Sequence, residues 1–111
     1  MKVFELVEEL GLKVFSGHKG LDREISGGYV SDLLSDVMGN AQEAQVWITL
    51  QVHQNVMAIA SLKDLAAVIL VSNLEPQENT KRNSDDENIP ILGTSLPAFE
   101  IAGKIYLAFN R

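Results

Sequence analysis

The sequence predicts one α/β domain, a small two- or three-layered fold with a mainly parallel sheet and crossover helices. Three observations carry that expectation. The runs Val46-Trp47-Ile48-Thr49-Leu50, Ala66 to Val71 and Ile89-Pro90-Ile91-Leu92 are continuous and apolar, the pattern of strands covered on both faces. Helical segments follow each run, and strand–helix–strand order is satisfied by parallel strands with right-handed crossovers. The chain has 111 residues, 46% of them hydrophobic, which supplies one core and not two.

The elements follow in order. Val3, Phe4, Leu6, Val7 and Leu10 recur at helical spacing with Glu5, Glu8 and Glu9 between them, and Gly11 stops the run. Leu12 to Phe15 suggests a brief strand, ended by the turn-prone Ser16-Gly17-His18-Lys19-Gly20. Leu21-Asp22-Arg23-Glu24-Ile25 alternates apolar and charged residues, predicting a half-buried strand that Ser26-Gly27-Gly28 breaks. Tyr29 to Asp32 resumes it. Asp32 is then expected to be the N-cap of a helix over Leu33 to Met38, closed by Gly39-Asn40.

Asn55 to Leu62 reads as a helix with small residues at Ala58 and Ala60. From Glu75 to Asn88 no strongly apolar side chain appears. Pro76 suits a first helical position, so a solvated helix with a loose end is expected there. A disordered loop is the alternative, favoured by Asn83-Ser84-Asp85-Asp86-Glu87-Asn88. Leu96, Phe99, Ile101, Ala102, Ile105, Tyr106 and Phe109 give a long last helix with a wide apolar face.

Composition narrows the function. The absence of cysteine removes disulfides, thiolate metal sites and cysteine nucleophiles, and fits a reducing compartment. The N-terminal residues lack the basic start and apolar run of a signal peptide. The longest strongly apolar stretch is far short of the roughly 20 residues that span a bilayer. A cytoplasmic protein without membrane contact is expected. The net charge is −6 and the basic residues are scattered, which argues against nucleic acid.

Ligands of open parallel sheets collect outside the carboxyl ends of the strands. Here those ends carry Thr49, Gln51, His53, Gln54 and Asn55, then Ser72 and Asn73, then Gly93, Thr94 and Ser95. They offer one shared polar, largely uncharged site, although Asn55, Thr94 and Ser95 also suit plain helix capping. His53 has no carboxylate near it in sequence to orient it for acid–base work, and a capping or interface role fits it better. His18 sits in a glycine-bounded turn and is expected to be exposed. Asp85, Asp86 and Glu87 lack the alternate spacing of a calcium loop, so no metal site is expected. Ser31, Asp32, Ser35 and Asp36 have no histidine nearby for a hydrolytic triad. A phosphate-cradling loop would need Ser or Thr after a Gly-Lys pair, yet Lys104 precedes Ile105 and Lys19 precedes Gly20. No cofactor is implied.

The stretch Leu21-Asp22-Arg23-Glu24-Ile25-Ser26-Gly27-Gly28-Tyr29-Val30-Ser31-Asp32-Leu33-Leu34-Ser35, with Trp47-Ile48-Thr49-Leu50 and Ile89-Pro90-Ile91-Leu92, resembles the DRTGG domain family. The likeness runs from about Leu12 to Tyr106, and the whole chain, 1–111, is read as one such domain. Asp22-Arg23 is separated from Gly27-Gly28 by three residues, a departure from the family's name motif. The resemblance implies a fold similar to the N-terminal, non-catalytic domain of HPr kinase/phosphorylase. It also implies a regulatory or dimerising role like that of the domains accompanying phosphotransacetylases and CBS-containing pyrophosphatases.

Gly27-Gly28 would serve a positive φ or a close approach that a side chain would block. Arg23 would pair with Asp22, Asp32 or a partner's carboxylate. The expectation is a non-catalytic regulatory or dimerisation module, homodimeric, with an apolar surplus near Tyr29, Val30 and Trp47. The alternative is a sensor that binds a small molecule, a nucleotide or anion. Its ligand-binding candidates are Asp22, Arg23, Gly27, Gly28, Thr49, Gln51, His53, Asn55, Asn73 and Thr94. An enzyme is the least expected class.

Overall fold

A computed structural model describes residues Met1–Arg111. The chain forms α1 (Val3–Leu10), β1 (Lys13–Ser16), a 3₁₀ turn (His18–Gly20), β2 (Gly27–Val30) and α2 (Leu34–Asn40). It continues with β3 (Gln45–Thr49), α3 (Asn55–Leu62), β4 (Ala67–Leu70), α4 (Glu78–Glu87), β5 (Ile91–Gly93) and α5 (Ala98–Phe109). One five-stranded sheet has the order β1-β5-β4-β3-β2. Strands β2 to β5 are parallel, and only β1 runs antiparallel, against β5. The fold is mixed α/β with a mainly parallel sheet, as the apolar runs require.

Alternation along each strand divides the core in two. Val46, Ile48, Ala67, Ile69 and Leu92 face a layer built on Val3 and Leu6 of α1 and Ile101, Ile105 and Ala108 of α5. Trp47, Val68, Leu70 and Ile91 face Val37 of α2 and Val56, Met57, Ile59 and Ala60 of α3. Helices therefore cover both faces, which is why β3 and β4 read as unbroken apolar runs. Trp47 is fully buried, and its indole N–H donates to the Ser31 carbonyl at 2.8 Å. It adds nothing to the surface, contrary to the expected apolar surplus. No helix is long and apolar enough to cross a membrane.

Several local expectations are corrected. Leu21 to Ile25 is not a strand. It crosses the amino terminus, with a single bridge from Lys2 to Glu24 and backbone bonds from Val3 N–H to the Arg23 carbonyl and from Ile25 N–H to the Met1 carbonyl. The alternation arises because Ile25 drops into the core from a loop. Gly27-Gly28 does not interrupt a strand but opens β2.

Asp32 is not the N-cap of α2. That position belongs to Leu33, and the Asp32 carboxylate instead accepts bonds from the Thr49 hydroxyl and the Leu50 N–H. Helix α4 does not end loosely. It is helical to Glu87, with Asn88 in the left-handed conformation behind it. Pro76 precedes the N-cap Gln77 and is not the first helical residue. The buried residues of α4 are Thr80 and Ser84, small hydroxyls that no apolar pattern reveals.

Candidate functional site

The carboxyl ends of β3, β4 and β5 lie along one rim, as parallel pairing demands. At the β3 tip Thr49 is buried and donates to Asp32 Oδ1 at 2.9 Å. Gln51 Nε2 donates to the Asp32 carbonyl at 2.9 Å. Asp32 thus ties the β2–α2 crossover to the β3 tip and occupies both predicted residues. Sequence reading assigned Asp32 to a helix cap and missed this role. His53 is exposed, and no carboxylate bonds to it. Asn55 is exposed as the first residue of α3, bordering a shallow groove between α3 and α4 with Ser61, Asp86 and Glu87.

Asn73 and Thr94 are brought together. The Asn73 N–H donates to the Thr94 carbonyl and the Ser72 N–H to the Leu96 carbonyl, both at 2.9 Å. Ser72 and Asn73 both hold positive φ, 57° and 61°, a conformation that costs non-glycine residues energy. The Thr94 hydroxyl accepts from the Leu96 N–H at 3.2 Å, fixing the turn into α5.

Asn73, Thr94 and Leu96 border a cleft of about 670 Å³ that also takes in Lys13, Phe15 and Lys104. Its volume lies in the range of small-molecule sites. Phe15 stands at the register shift of β1 against β5, and its ring covers Gly93, where any Cβ would overlap it. The Lys13 ammonium sits 4.8 Å above that ring's centroid. Sequence reading could not place Lys13 or Phe15 here, because only the distant pairing of β1 with β5 brings them to the rim.

The other four candidates lie at the opposite end. Gly27 and Gly28 start β2 opposite Gln45 and Val46 at the amino end of β3, so no single site holds all ten residues. Neither glycine has a positive φ, and an added Cβ would meet its nearest neighbour no closer than 3.9 and 3.6 Å respectively. Neither reason proposed for them from sequence therefore holds. Their effect is to leave the sheet edge low beside α5. A groove of about 400 Å³ runs there between Gly28, Val30, Ala102, Tyr106 and Phe109.

Asp22 is exposed. Arg23 pairs with Asp64 at 3.2 Å, and with neither Asp22 nor Asp32. Its Nε also donates to the Asn88 carbonyl at 2.8 Å. Tyr29, expected to add to the apolar surface, is half-buried and donates its hydroxyl to Asp36 at 2.8 Å. That bond holds the Asp36 carboxyl below the usual carboxylate range, helped by Ser31, and raises the Tyr29 phenol.

No family model matches the sequence, and no curated protein matches it. Among solved structures, the chain is similar to the CBS and DRTGG domains of the regulatory region of Clostridium perfringens pyrophosphatase, complexed with the activator diadenosine tetraphosphate. The TM-score is 0.66 at 11% sequence identity, over 94% of this chain and 45% of that one. This chain therefore spans about half of that structure's length. At this identity the likeness shows the fold alone.

Proposed function

We propose that this chain is a non-catalytic regulatory module that works as a homodimer. The observation that carries the reading is the open edge at β2. The edge is four residues long, contains neither lysine nor proline, and is lowered by Gly27-Gly28. Beside it Val30 is 52% exposed and Tyr106 68% exposed, both on the groove against α5. Natural sheets normally blunt such an edge with charge or proline, and a bare one with an apolar flank suits pairing. Two copies meeting edge to edge about a twofold axis would pair their open β2 backbones with each other. The structural relative adds support, since its fold serves a regulatory region. The cytoplasmic setting expected from the sequence belongs to the same proposal.

Light scattering at micromolar concentration tests it. The expected species has twice the mass of the 12.2 kDa chain, reverting to one chain on Tyr106→Glu. A single 12.2 kDa species in the parent protein overturns the dimer.

A second reading, small-molecule sensing, is favoured by the cleft at Asn73 and Thr94 and by the nucleotide activator that the structural relative binds. A thermal-shift screen against nucleotides and anions tests it. A ligand at 100 times its Kd stabilises the fold by about 2.7 kcal/mol, an effect well within reach of the method.

A further inference from the structure

The cleft at the β4 and β5 tips carries two cations that the fold leaves without an ion-pair partner. Lys13 and Lys104 are both exposed on its wall, and neither forms an ion pair. Two acids, Glu9 and Glu75, share the lining, so the two ammonium groups outnumber the one carboxylate there that has no ion-pair partner. Glu9 is paired with Arg111, whereas Glu75 forms no ion pair, Lys81 of α4 being bound to Glu78 at 2.8 Å. Of the nine lysines and arginines only Arg23, Lys81 and Arg111 are ion-paired, and what sets Lys13 and Lys104 apart from the other unpaired ones is that both line one cleft.

Lys13 is also held in place. Its ammonium rests 4.8 Å above Phe15, and Phe15 is backed by Gly93, the one residue type that admits the ring there. The far wall is polar, formed by Asn73, Thr94 and Ser95. Lysine acts on phosphate as a point charge, whereas paired carboxylates are better met by the fork of an arginine, and the nearby Arg111 is already engaged.

The geometry points to this cleft as the binding site for a small phosphate-bearing anion, with Lys13 and Lys104 as its charge partners and the Asn73 and Thr94 turn as its polar wall. The inference rests on the sensing reading above. It moves the site from the β3 tip, where Thr49 and Gln51 are occupied by Asp32, to the β1 side of the rim.

The experiment is a titration of the isotope-labelled chain with inorganic pyrophosphate and with ADP, followed by amide chemical shifts, with succinate as the dicarboxylate arm. Either phosphate probe should shift Lys13, Asn73, Thr94 and Lys104, while succinate should not. Lys13→Gln and Lys104→Gln should each weaken binding by about tenfold, the loss expected of one charge-assisted contact. Both lysines are exposed, so the variants should keep the parent's circular dichroism. Shifts confined to Gln51, His53 and Asn55 that both variants preserve would overturn this site and leave sensing standing. Equal binding of succinate would overturn the phosphate class. No shift with pyrophosphate or ADP at about 10 mM, too weak for a regulatory ligand, would overturn the inference. Sensing of other molecules would then rest on the thermal screen alone.

Discussion

The Arg23 guanidinium closes the carboxyl end of α4, donating from Nε to the Asn88 carbonyl at 2.8 Å and lying 3.2 Å from Asp64 through Nη1. A helix end exposes unsatisfied carbonyls and partial negative charge, so a cation placed there stabilises it. The same side chain joins the loop after the 3₁₀ turn to the α3–β4 connection. Arg23→Ala should lower the unfolding free energy by about 1–2 kcal/mol, measured by urea titration. Arg23→Lys should recover only part of this, because an ammonium cannot fork between carbonyl and carboxylate. An Arg23→Ala variant as stable as the parent would show that the clamp is idle.

Gly20 offers a sharper test of close approach. A Cβ there would penetrate the carbonyl oxygen of Asn88, a backbone atom that cannot rotate away. Gly20→Ala should cost at least about 2 kcal/mol. Gly39, inside α2, has nothing within 4 Å of its virtual Cβ. Gly39→Ala should instead stabilise the fold by about 0.5–1 kcal/mol through helix propensity. Thermal denaturation of the two variants should move in opposite directions, and a shared direction would contradict the packing described.

Much of this architecture was legible in the sequence. Segments β3, β4 and α3 were readable because burial on both faces of the sheet leaves continuous apolar runs, as in Val46 to Thr49 and Ala67 to Leu70. Strand β2 was legible only at Tyr29 and Val30, because Gly27 and Gly28 contribute no side chain to any pattern, while the loop residue Ile25 imitates alternation. The buried residues of α4 are hydroxyls satisfied by specific partners, so its core contact carries no hydrophobic signal. The candidate site was legible at Asn73, Gly93, Thr94 and Ser95, the strand tips that line the cleft. Lys13, Phe15 and Lys104 reach the cleft from elements remote in the chain, and only strand pairing and helix docking unite them.

The buried hydroxyls of α4 define a further prediction. Ser84 is fully buried, accepts from the Ser16 hydroxyl at 2.9 Å and donates to the Ile89 carbonyl at 2.6 Å. Ser84→Ala leaves the carbonyl of Ile89 without that donor and Ser16 without its acceptor. The loss should be about 1–3 kcal/mol in chemical denaturation. A change below about 0.5 kcal/mol would mean that water replaces the missing oxygen.

Acid should erase the contribution of Tyr29. The Tyr29 hydroxyl lowers the Asp36 pKa, so the ionised carboxylate is favoured in the folded chain. That stability is complete above the unfolded carboxyl pKa of about 3.9 and disappears as pH falls through the folded value. Tyr29→Phe should therefore be less stable than the parent at neutral pH, with the gap narrowing below about pH 4. The raised Tyr29 phenol acts in the other direction, its share being lost as pH climbs past about 10. Urea midpoints of both proteins at neutral and acidic pH decide the matter, and a gap independent of pH would rule out the carboxylate as its source.

Strand β1 has a single neighbour in the sheet, β5, and that strand is formed by residues 91–93. During synthesis the amino-terminal hairpin of helix and strand must wait without a mate while nearly every other element leaves the ribosome. The parallel strands β2, β3 and β4 can assemble in the order they appear, whereas the antiparallel seam needs β5. The cleft at Asn73 and Thr94, whose walls include both sides of that seam, is complete only where β1 and β5 are paired.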